Sequence, residues 1–409
     1  MNKPAYIERP LYMRMVEPFA GKEIIKVLVG QRRVGKSYLL LQIMDRIAAT
    51  DPSGQVLYVN KEQHEFSALR SSEDLIKYVE ERRAPGRRLY LLVDEIQDIH
   101  DFEKALRSLQ ATRDTDIYCT GSNANLLSGE LATLLSGRYV EIKVHGLSYE
   151  EFLRFHGLAR NREAFTLYLR FGGLPYLRNL VLEERVVFDY LRNILDAILL
   201  KDVVARYQIR NVDFLQRLVL FLADNVGSLV SARSISDFLK SQRITMSHNL
   251  VLDYLSHLCT AFLVYGVRRT EVGGRKVFEV GEKYYFEDLG LRHALVGYRA
   301  TDINRILENT VFMHLKMAGY EVQVGQMGKR EIDFVCDRHG ERLYVQVAYM
   351  ITDEKVRDRE FGNLLTVRDN YPKYVVSMDE VAGGTYKGVR HVHAEEFVHS
   401  LTAGLSLAG

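Results

Sequence analysis

The stretch Gly30-Gln-Arg-Arg-Val-Gly-Lys-Ser37 matches the pattern G-x-x-x-x-G-K-[S/T] at every fixed position. The apolar residues 24–29 lead directly into it as a candidate strand, and residues 37–47 follow with the pattern of a helix. In this order of elements the loop wraps backbone N–H groups around a phosphate, and the helix N-terminus favours the anion. The sequence therefore predicts a phosphate-binding loop between a buried strand and a helix.

Nine consecutive residues of this loop are candidates for nucleotide binding. Lys36 is expected to reach the β- and γ-phosphates of ATP, and the Ser37 hydroxyl is expected to ligate Mg²⁺. The alternative is a chance glycine-rich turn, which the flanking strand and helix disfavour. The predicted nucleotide-binding residues are Gly30, Gln31, Arg32, Arg33, Val34, Gly35, Lys36, Ser37 and Tyr38.

A second apolar run, residues 89–93, ends in two adjacent acids, Asp94 and Glu95. Asp94 is placed to hold Mg²⁺ through water, as the acid at the end of such a strand does in phosphate-loop enzymes. Glu95 is the candidate base that polarises the attacking water, so that it joins Lys36 in the predicted catalytic set. Ordinary surface charge is the alternative interpretation of two adjacent acids.

The composition is ordinary for a globular chain: 409 residues, 47% hydrophobic, 26% charged and a net charge of +2. This length suggests about two to four domains. The apolar runs are too short to span a bilayer, and the N-terminal residues lack the apolar segment of a signal peptide. The three cysteines are far apart and odd in number, which disfavours a disulfide framework or a zinc site. We therefore expect a cytoplasmic protein with no membrane partner.

Short apolar runs alternate with helical patterns through residues 1–148, and such runs are typical of buried parallel strands covered by helices. We predict an α/β fold with a doubly wound parallel sheet in this region, followed by a helical lid in residues 149–204. Residues 205–300 have three helical patterns and then a hairpin, which is the element order of a winged helix. Residues 301–409 return to an α/β pattern.

Three further motifs carry a resemblance to a known family. Cys119-Thr-Gly-Ser-Asn123 follows a strand, Leu134-Leu-Ser-Gly-Arg138 precedes another, and Gly172-Gly-Leu-Pro175 interrupts the helical region. Together with the phosphate-binding loop, they make the chain similar over nearly its whole length to AAA-type (ASCE P-loop) ATPases of bacteria and archaea. The resemblance is to those of these ATPases that carry a C-terminal domain of restriction-endonuclease-like type.

The resemblance implies roles for residues beyond the loop. Thr120, Ser122 or Asn123 would take the sensor-1 position and read the γ-phosphate. Arg138 would be a catalytic arginine finger that a neighbouring subunit inserts, which implies a homo-oligomer, with a ring as the assembly expected of the class. Arg178 is the candidate for sensor 2 in the lid. A solvated surface arginine is the alternative interpretation of Arg138.

Residues 203–280 contain ten basic and six acidic side chains, a local excess of four positive charges. A recognition helix presents its N-terminal residues to base edges, and the wing of such a module contacts phosphates. DNA is therefore the predicted macromolecular partner, and a winged helix that serves packing or oligomerisation is the alternative. The candidate DNA-binding residues are Arg243, His248, Asn249, Arg268, Arg269, Arg275 and Lys276.

The last hundred residues align with the PD-(D/E)xK pattern of nucleases, in which acids and a lysine surround Mg²⁺. The chain keeps Glu308 and Asp333, but Gln346 stands in the place of the strand acid and Ala348 in the place of the lysine. Because the lysine assists the water or stabilises developing charge, its loss predicts a nuclease-like domain that does not cleave strands. The candidates for a migrated basic residue are Lys355 and Arg359.

The sequence thus predicts a Mg²⁺-dependent ATPase that binds ATP and ADP and acts on DNA as an oligomer. Two alternatives stay open, namely a nucleotide-switched scaffold or signalling module with low turnover, and a nuclease gated by ATP. Stimulation of turnover by DNA would favour the first function. Tight ATP binding with little turnover would favour the second. Gln346 and Ala348 count against the third.

Overall fold

The computed structural model describes residues 6–124, 135, 137–241, 246–272, 277–380 and 382–403. The chain forms two compact units, one of Met1–His145 with Thr260–Phe262 and the other of Gly146–Cys259 with Leu263–Gly409. The domain boundaries expected at 148/149, 204/205 and 300/301 stay predictions. The residues of the predicted motifs and sites that lie outside the described residues are Leu134, Ser136, Arg243, Arg275 and Lys276.

Five parallel strands form the sheet of the first unit. They are β1 (Ile25–Val29), β2 (Gln55–Asn60), β3 (Leu89–Asp94), β4 (Thr115–Gly121) and β5 (Tyr139–Lys143). The order across the sheet is β2-β3-β4-β1-β5, and every neighbouring pair is parallel. The three central strands are buried along their whole length, which is why they are apolar on both faces. The predicted α/β fold class is confirmed.

Helices connect these strands, and local sequence signals begin them. Ser71 accepts a hydrogen bond from the N–H of Asp74, whose carboxylate accepts one from the N–H of Ser71, a reciprocal capping box. Pro10 occupies the first turn of another helix, where its missing N–H costs nothing. The described helices of this unit are Pro10–Val16, Lys36–Thr50, Ser72–Arg82 and Phe102–Ala111.

A mixed sheet of nine strands forms the second unit. The strands are β6 (Leu229–Val230), β7 (Val264–Glu271), β8 (Val277–Phe286), β9 (Glu321–Met327), β10 (Arg330–Arg338), β11 (Glu341–Val347), β12 (Lys373–Ser377), β13 (Gly384–Tyr386) and β14 (Val389–His393). Their order is β13-β14-β12-β11-β10-β9-β7-β8-β6. The pairs β7–β9, β11–β12 and β12–β14 are parallel, and the other pairs are antiparallel.

The pairing of β7 with β9 joins two regions that the sequence pattern treated separately. Arg269, Thr270 and Glu271 on β7 lie opposite Val324, Gly325 and Gln326 on β9. The hairpin β7–β8 and the C-terminal strands are therefore parts of one hydrogen-bonded sheet.

Polar side chains also begin the helices of the second unit. Ser148, Asn161, Asn211, Asp288 and Asp353 each accept a backbone N–H from the first turn of the helix that follows. The helices are Tyr149–His156, Arg162–Phe171, Glu184–Ala197 with a π-helical continuation Ile198–Ala205, Val212–Asp224, Ala232–Ser241, His248–Thr260, Leu289–Val296, Ile303–Met317, Glu354–Leu365 and Ala394–Ala403.

The Gly172-Gly173 pair packs against one buried carboxylate. A Cβ at Gly172, whose φ is +76°, would lie 2.5 Å from Oδ1 of Asp288, and the N–H of Gly173 donates to Oδ2 of Asp288 at 2.6 Å. Burial raises the pKa of Asp288 to about 6. The two glycines therefore allow a close backbone approach, which accounts for this motif by packing.

Candidate active site

The glycine-rich loop lies between β1 and the helix Lys36–Thr50, as the motif requires. A Cβ at Gly30 would lie 2.1 Å from the carbonyl oxygen of Val144, so no larger residue fits there. Gly35 precedes the helix in the left-handed region at φ +97°, and Arg33 has φ +71°. These turns direct the loop around the N-terminus of the helix, where an anion is favoured.

Lys36 is held inside the loop rather than in solvent. Its Nζ donates to the carbonyl oxygens of Gly30 and Gln31, both at 2.9 Å, and the residue is only 4% exposed. The ammonium therefore carries its charge to the turn that would surround a phosphate. Of the other loop residues, Gln31 and Val34 are buried, Arg33 and Tyr38 are exposed, and Arg32 lies 3.8 Å from Glu62.

Asp94 brings the loop and two strand ends together. Its carboxylate accepts hydrogen bonds from the hydroxyls of Ser37 and Thr120, the latter at 2.5 Å on Oδ1. Burial raises the pKa of Asp94, while those two hydrogen bonds and the charge of Lys36 oppose the rise. The parallel register places these groups at the carboxyl edge of the sheet, where ligands bind in such folds.

Glu95 follows Asp94 in an unusual backbone conformation. Its φ and ψ are +55° and +54°, and its N–H donates to Thr120 Oγ1 at 2.9 Å. The amide of Gln97 donates to Oε2 of Glu95. A non-glycine residue in the left-handed region costs energy, and the hydrogen bond from the backbone of Glu95 holds it there.

The three sensor candidates occupy the end of β4 and the residues after it. Thr120 bridges Asp94 and the backbone of Glu95 through one hydroxyl. Ser122 and Asn123 are also buried. Arg138 is exposed directly before β5, where its carbonyl oxygen accepts the N–H of Ile25. Thr120 is thus placed in contact with both acids.

Arg9 supports the loop and was missed by the sequence argument. Its guanidinium donates to the carbonyl oxygens of Val34 at 2.8 Å and His145 at 3.1 Å, and the residue is 2% exposed. The Tyr12 hydroxyl accepts the N–H of His145 at 2.9 Å. An arginine before a helical proline carries no signal of such a role, because the contact depends on residues far along the chain.

The candidate DNA-binding residues that the structure describes do not form one bare basic surface. His248 and Asn249 are exposed at the start of the helix His248–Thr260. Arg268 is also exposed, but its Nε lies 3.2 Å from Glu282. Arg269 is only partly exposed. Other basic side chains of the region lie near acids in the pairs Arg217–Asp213, Arg233–Asp237 and Lys240–Asp237.

The second unit contains a buried charged cluster that includes the two acids expected there. Glu308 lies on the helix Ile303–Met317 and Asp333 on β10, and Lys283 of β8 reaches both. Burial and the charge of Glu308 raise the pKa of Asp333 to about 8. The basic partner of these acids is Lys283, and not Lys355 or Arg359, the two residues that the sequence pattern suggests.

Neither suggested basic residue has a described contact with Glu308 or Asp333. Lys355 is exposed, and Arg359 pairs with Glu360 at 2.6 Å. The Gln346 amide donates to Glu360 at 3.1 Å, so that its orientation is fixed by a neighbouring acid. Lys283 lies in a different predicted module, so spacing along the PD-(D/E)xK pattern could not identify it.

Two absences hold for the part of the chain that the structure describes. No group of three or more His, Cys, Asp or Glu residues there is arranged to hold a metal ion. No helix there is both long enough and apolar enough to cross a bilayer.

Comparison with protein families and known proteins adds to this geometry. A family model described as an AAA domain matches residues 22–153, and a model of a domain of unknown function matches residues 162–302. The first match spans the glycine-rich loop, Asp94, Glu95 and Arg138, whereas the second spans the lid and hairpin regions. Neither match extends over the cluster at Glu308 and Asp333.

Relatives are similar along most of the chain. An uncharacterised protein of Haemophilus influenzae is 38% identical over 379 residues, covering 91% of this chain and 94% of the relative. An uncharacterised protein of Methanocaldococcus jannaschii is 28% identical, covering 82% of this chain and 77% of the relative. Among solved structures, a Walker-type ATPase of Pyrococcus abyssi matches 71% of this chain and 96% of its own, at 16% identity and a TM-score of 0.49.

Proposed function

Because this chain belongs to the family of the Haemophilus influenzae protein and carries an AAA domain over residues 22–153, we propose that it is a Mg²⁺-dependent ATPase. The observation that carries the proposal is the hydrogen-bonded chain Ser37–Asp94–Thr120–Glu95 beside the loop that holds Lys36. These hydrogen bonds connect Ser37, which follows Lys36 in the loop, to both acids, Asp94 and Glu95.

The donor set beside the loop fits Mg²⁺. The Ser37 hydroxyl and the Asp94 carboxylate are hard oxygen donors, the kind that this ion takes, and they already contact each other. Mg²⁺, when bound, would neutralise charge on the phosphate oxygens of ATP. Ser37 and Asp94 are the residues that would hold it.

The other residues of the site have separate roles in ATP binding and hydrolysis. Backbone N–H groups of the loop and the Lys36 ammonium bind the phosphates of ATP, and Arg9 keeps the loop in shape through its bond to Val34. Glu95 accepts a proton from, or polarises, the water that attacks the γ-phosphate. Thr120 orients Glu95 through the backbone N–H and Asp94 through its carboxylate.

Replacement of Glu95 by Gln tests this assignment. The variant should bind ATP with wild-type affinity and lose roughly 10²–10⁴-fold in turnover, because the base is removed and the phosphate contacts are kept. ATP binding and phosphate release are measured in parallel. The control is Glu80→Gln on the exposed face of the helix Ser72–Arg82, which should leave both unchanged. Hydrolysis by Glu95→Gln at the wild-type rate would refute the role of Glu95.

A low-turnover nucleotide switch is the second candidate, and one contact favours it. The Gln97 amide donates to the Glu95 carboxylate, so that it competes with water for the proposed base. If this contact keeps the base from acting, Gln97→Ala should raise turnover without changing ATP affinity. If turnover in Gln97→Ala stays equal or falls, the contact orients the base and the switch loses its support.

Two finer parts of the proposal concern partners. Arg138, exposed beside β5, is available to a neighbouring copy of the chain, and we propose that it completes the site of that copy as an arginine finger. The helix His248–Thr260 and the hairpin β7–β8 are proposed to bind DNA as a winged helix, with the exposed His248 and Asn249 toward base edges. The acids beside Arg217, Arg233 and Arg268 weaken the phosphate attraction that this binding needs.

A further inference from the structure

The cluster around Lys283 combines one ammonium with three carboxylates. The Nζ of Lys283 lies 2.9 Å from Glu308, 2.9 Å from Glu331 and 3.7 Å from Asp333. Its side chain is only 6% exposed. The three acids come from two elements, the helix Ile303–Met317 and β10, whereas Lys283 comes from β8.

Neighbouring groups fix the orientation of two of the three acids, Glu308 and Asp333. The Tyr285 hydroxyl donates to Oε1 of Glu308 at 2.6 Å, the same oxygen that accepts from Lys283. The N–H of Val347 donates to Oδ2 of Asp333 at 2.8 Å, so that Oδ1 is the oxygen turned toward Lys283. The carboxylates of Glu308 and Asp333 are therefore held beside the ammonium by further hydrogen bonds, whereas the side chain of Glu331 is 38% exposed.

We propose that Lys283 occupies the cation position of this carboxylate cluster, so that the natural chain excludes divalent metal ions there. Spread around the ammonium, the three acids form no metal-binding group as they stand in the described part of the chain. A chain without the ammonium draws them together around a divalent ion such as Mg²⁺ or Mn²⁺ in its place. The site resembles a nuclease metal centre in its acids, and its own lysine makes it a closed, metal-free arrangement.

Space and charge both support this exclusion. Mg²⁺ needs oxygen ligands at about 2.0–2.1 Å in a near-octahedral arrangement and keeps several waters. The Lys283 ammonium already lies among Glu308, Glu331 and Asp333, so that the ion and its waters would have to displace it. The displaced ammonium would lose three carboxylate partners in a buried place, which is strongly unfavourable.

Gln346 adds to the misfit with a metal. Its amide nitrogen donates to Glu360 at 3.1 Å, and its oxygen is the acceptor turned toward the N–H of Asp333 at 3.4 Å. The neutral side-chain oxygen of Gln346 is thus directed at the backbone. The three acids share the one Lys283 ammonium, which occupies the position between them that a metal ion would need.

Mn²⁺ is the probe that tests the proposal, with nucleotide and other divalent ions removed from the full chain. The number of bound ions is counted by electron paramagnetic resonance in the natural chain, Lys283→Met and Lys283→Met/Glu308→Gln. We expect one more bound Mn²⁺ in Lys283→Met than in the natural chain, and none of that excess in the double variant. Any Mn²⁺ bound near Asp94 is present in all three proteins and does not affect the difference between their counts.

Thermal unfolding provides the second readout. Lys283→Met should unfold at a lower temperature than the natural chain without metal, and Mn²⁺ should return part of that loss because the ion replaces the missing charge. The double variant should not respond to Mn²⁺ beyond the natural chain. A folded Lys283→Met that takes up no extra Mn²⁺ would overturn the proposal.

A further comparison does not depend on the folding of Lys283→Met. The natural chain and Glu308→Gln should bind the same number of Mn²⁺ ions, since the cluster of the natural chain holds none. A lower count in Glu308→Gln would place a metal in the natural cluster and overturn the proposal. None of these measurements uses ATP, so they fail or succeed independently of the proposed ATPase activity.

Discussion

Two buried lysines, one in each unit, meet different partners. The Lys36 ammonium donates to two backbone carbonyl oxygens in the glycine-rich loop, and its charge also reaches Asp94. The Lys283 ammonium lies among three carboxylates. A phosphate that approaches Lys36 replaces carbonyl dipoles, whereas a ligand that approaches Lys283 must displace carboxylate charges. In our proposals the lysine therefore binds a ligand in the first unit and pairs with the chain's own acids in the second.

The difference shows what to look for in a buried charge. Breaking a buried ion pair by removing one partner is costly, because the other charge stays behind without water. Removing an ammonium that is bonded to carbonyl groups leaves neutral acceptors, and the cost is that of ordinary hydrogen bonds. Replacing Lys36 should therefore change nucleotide binding, and replacing Lys283 should change the free energy of unfolding.

Arg138→Ala should have the largest effect, since an arginine finger contributes roughly 10³–10⁵ in rate by stabilising charge in the transition state. ATP affinity should stay the same, and unfolding should be unaffected because Arg138 is exposed. Phosphate release and nucleotide binding are measured with Arg107→Ala, another exposed arginine, as the control. Mixing Arg138→Ala with Glu95→Gln subunits should restore some turnover, and no recovery in assembled mixtures would contradict a shared site.

Lys283→Met and Lys36→Met compare the two lysines directly. Lys283→Met should lower the free energy of unfolding by about 3–5 kcal/mol and leave ATP affinity unchanged, because it removes one partner of a buried charged cluster. Lys36→Met should change stability by about 1 kcal/mol or less and lower ATP affinity roughly 10–100-fold, the loss of a charged phosphate contact. Chemical denaturation and nucleotide titration are run on both. A large loss of stability in Lys36→Met, or a large loss of ATP affinity in Lys283→Met, would refute the contrast between the two lysines.

A smaller effect is expected from pH in the second unit. His314 is fully buried, its Nε2 accepts the N–H of Tyr149 at 3.1 Å, its Nδ1 lies 2.8 Å from the carbonyl of Thr310, and burial lowers its pKa to about 4. The unfolded chain has the ordinary value of 6.5. As pH falls from 6.5 to 4, the unfolded chain takes up this proton first, so stability is lost at about 1.4 kcal/mol per pH unit.

His314→Gln removes that proton and should flatten the pH dependence in this window. The free energy of unfolding is measured by denaturant titration at several pH values between 4 and 6.5. The gap in stability between the natural chain and the variant should narrow as pH falls. Parallel curves would show that folding does not change the pKa of His314 and would contradict this prediction.

The smallest expected effect concerns DNA. Replacement of Arg268, Arg269, Arg275 and Lys276 by Ala should weaken DNA binding evenly across sequences, and the slope of log affinity against log salt should fall by about one for each lost phosphate contact. Arg268 should contribute little, because Glu282 already lies beside it. The control removes four exposed basic residues of the first unit, Arg46, Lys77, Arg82 and Lys104. An unchanged slope in the first variant would favour packing or a scaffold.

The sequence predicted the first unit well because its signals are local. The loop from Gly30 to Ser37, the acids after β3 and the parallel strands each depend on residues that are close in the chain. Arg9 and Lys283 were missed for the opposite reason. Their contacts join distant segments, and neither lies in a pattern of fixed spacing. The parallel pairing of β7 with β9 was missed because the spacing of apolar residues along a strand does not show which other strand pairs with it.

That pairing has a consequence for how the chain can be divided. A fragment that ends at residue 300 would keep β7 and β8 but lose β9, so that the edge of β7 at Arg269–Glu271 that faces β9 would have no partner strand. An uncovered strand edge is a template for other chains and promotes aggregation. The hairpin β7–β8 is therefore better isolated together with the strands that follow it. A fragment cut between β8 and β9 would expose the edge of β7 and would be prone to aggregate.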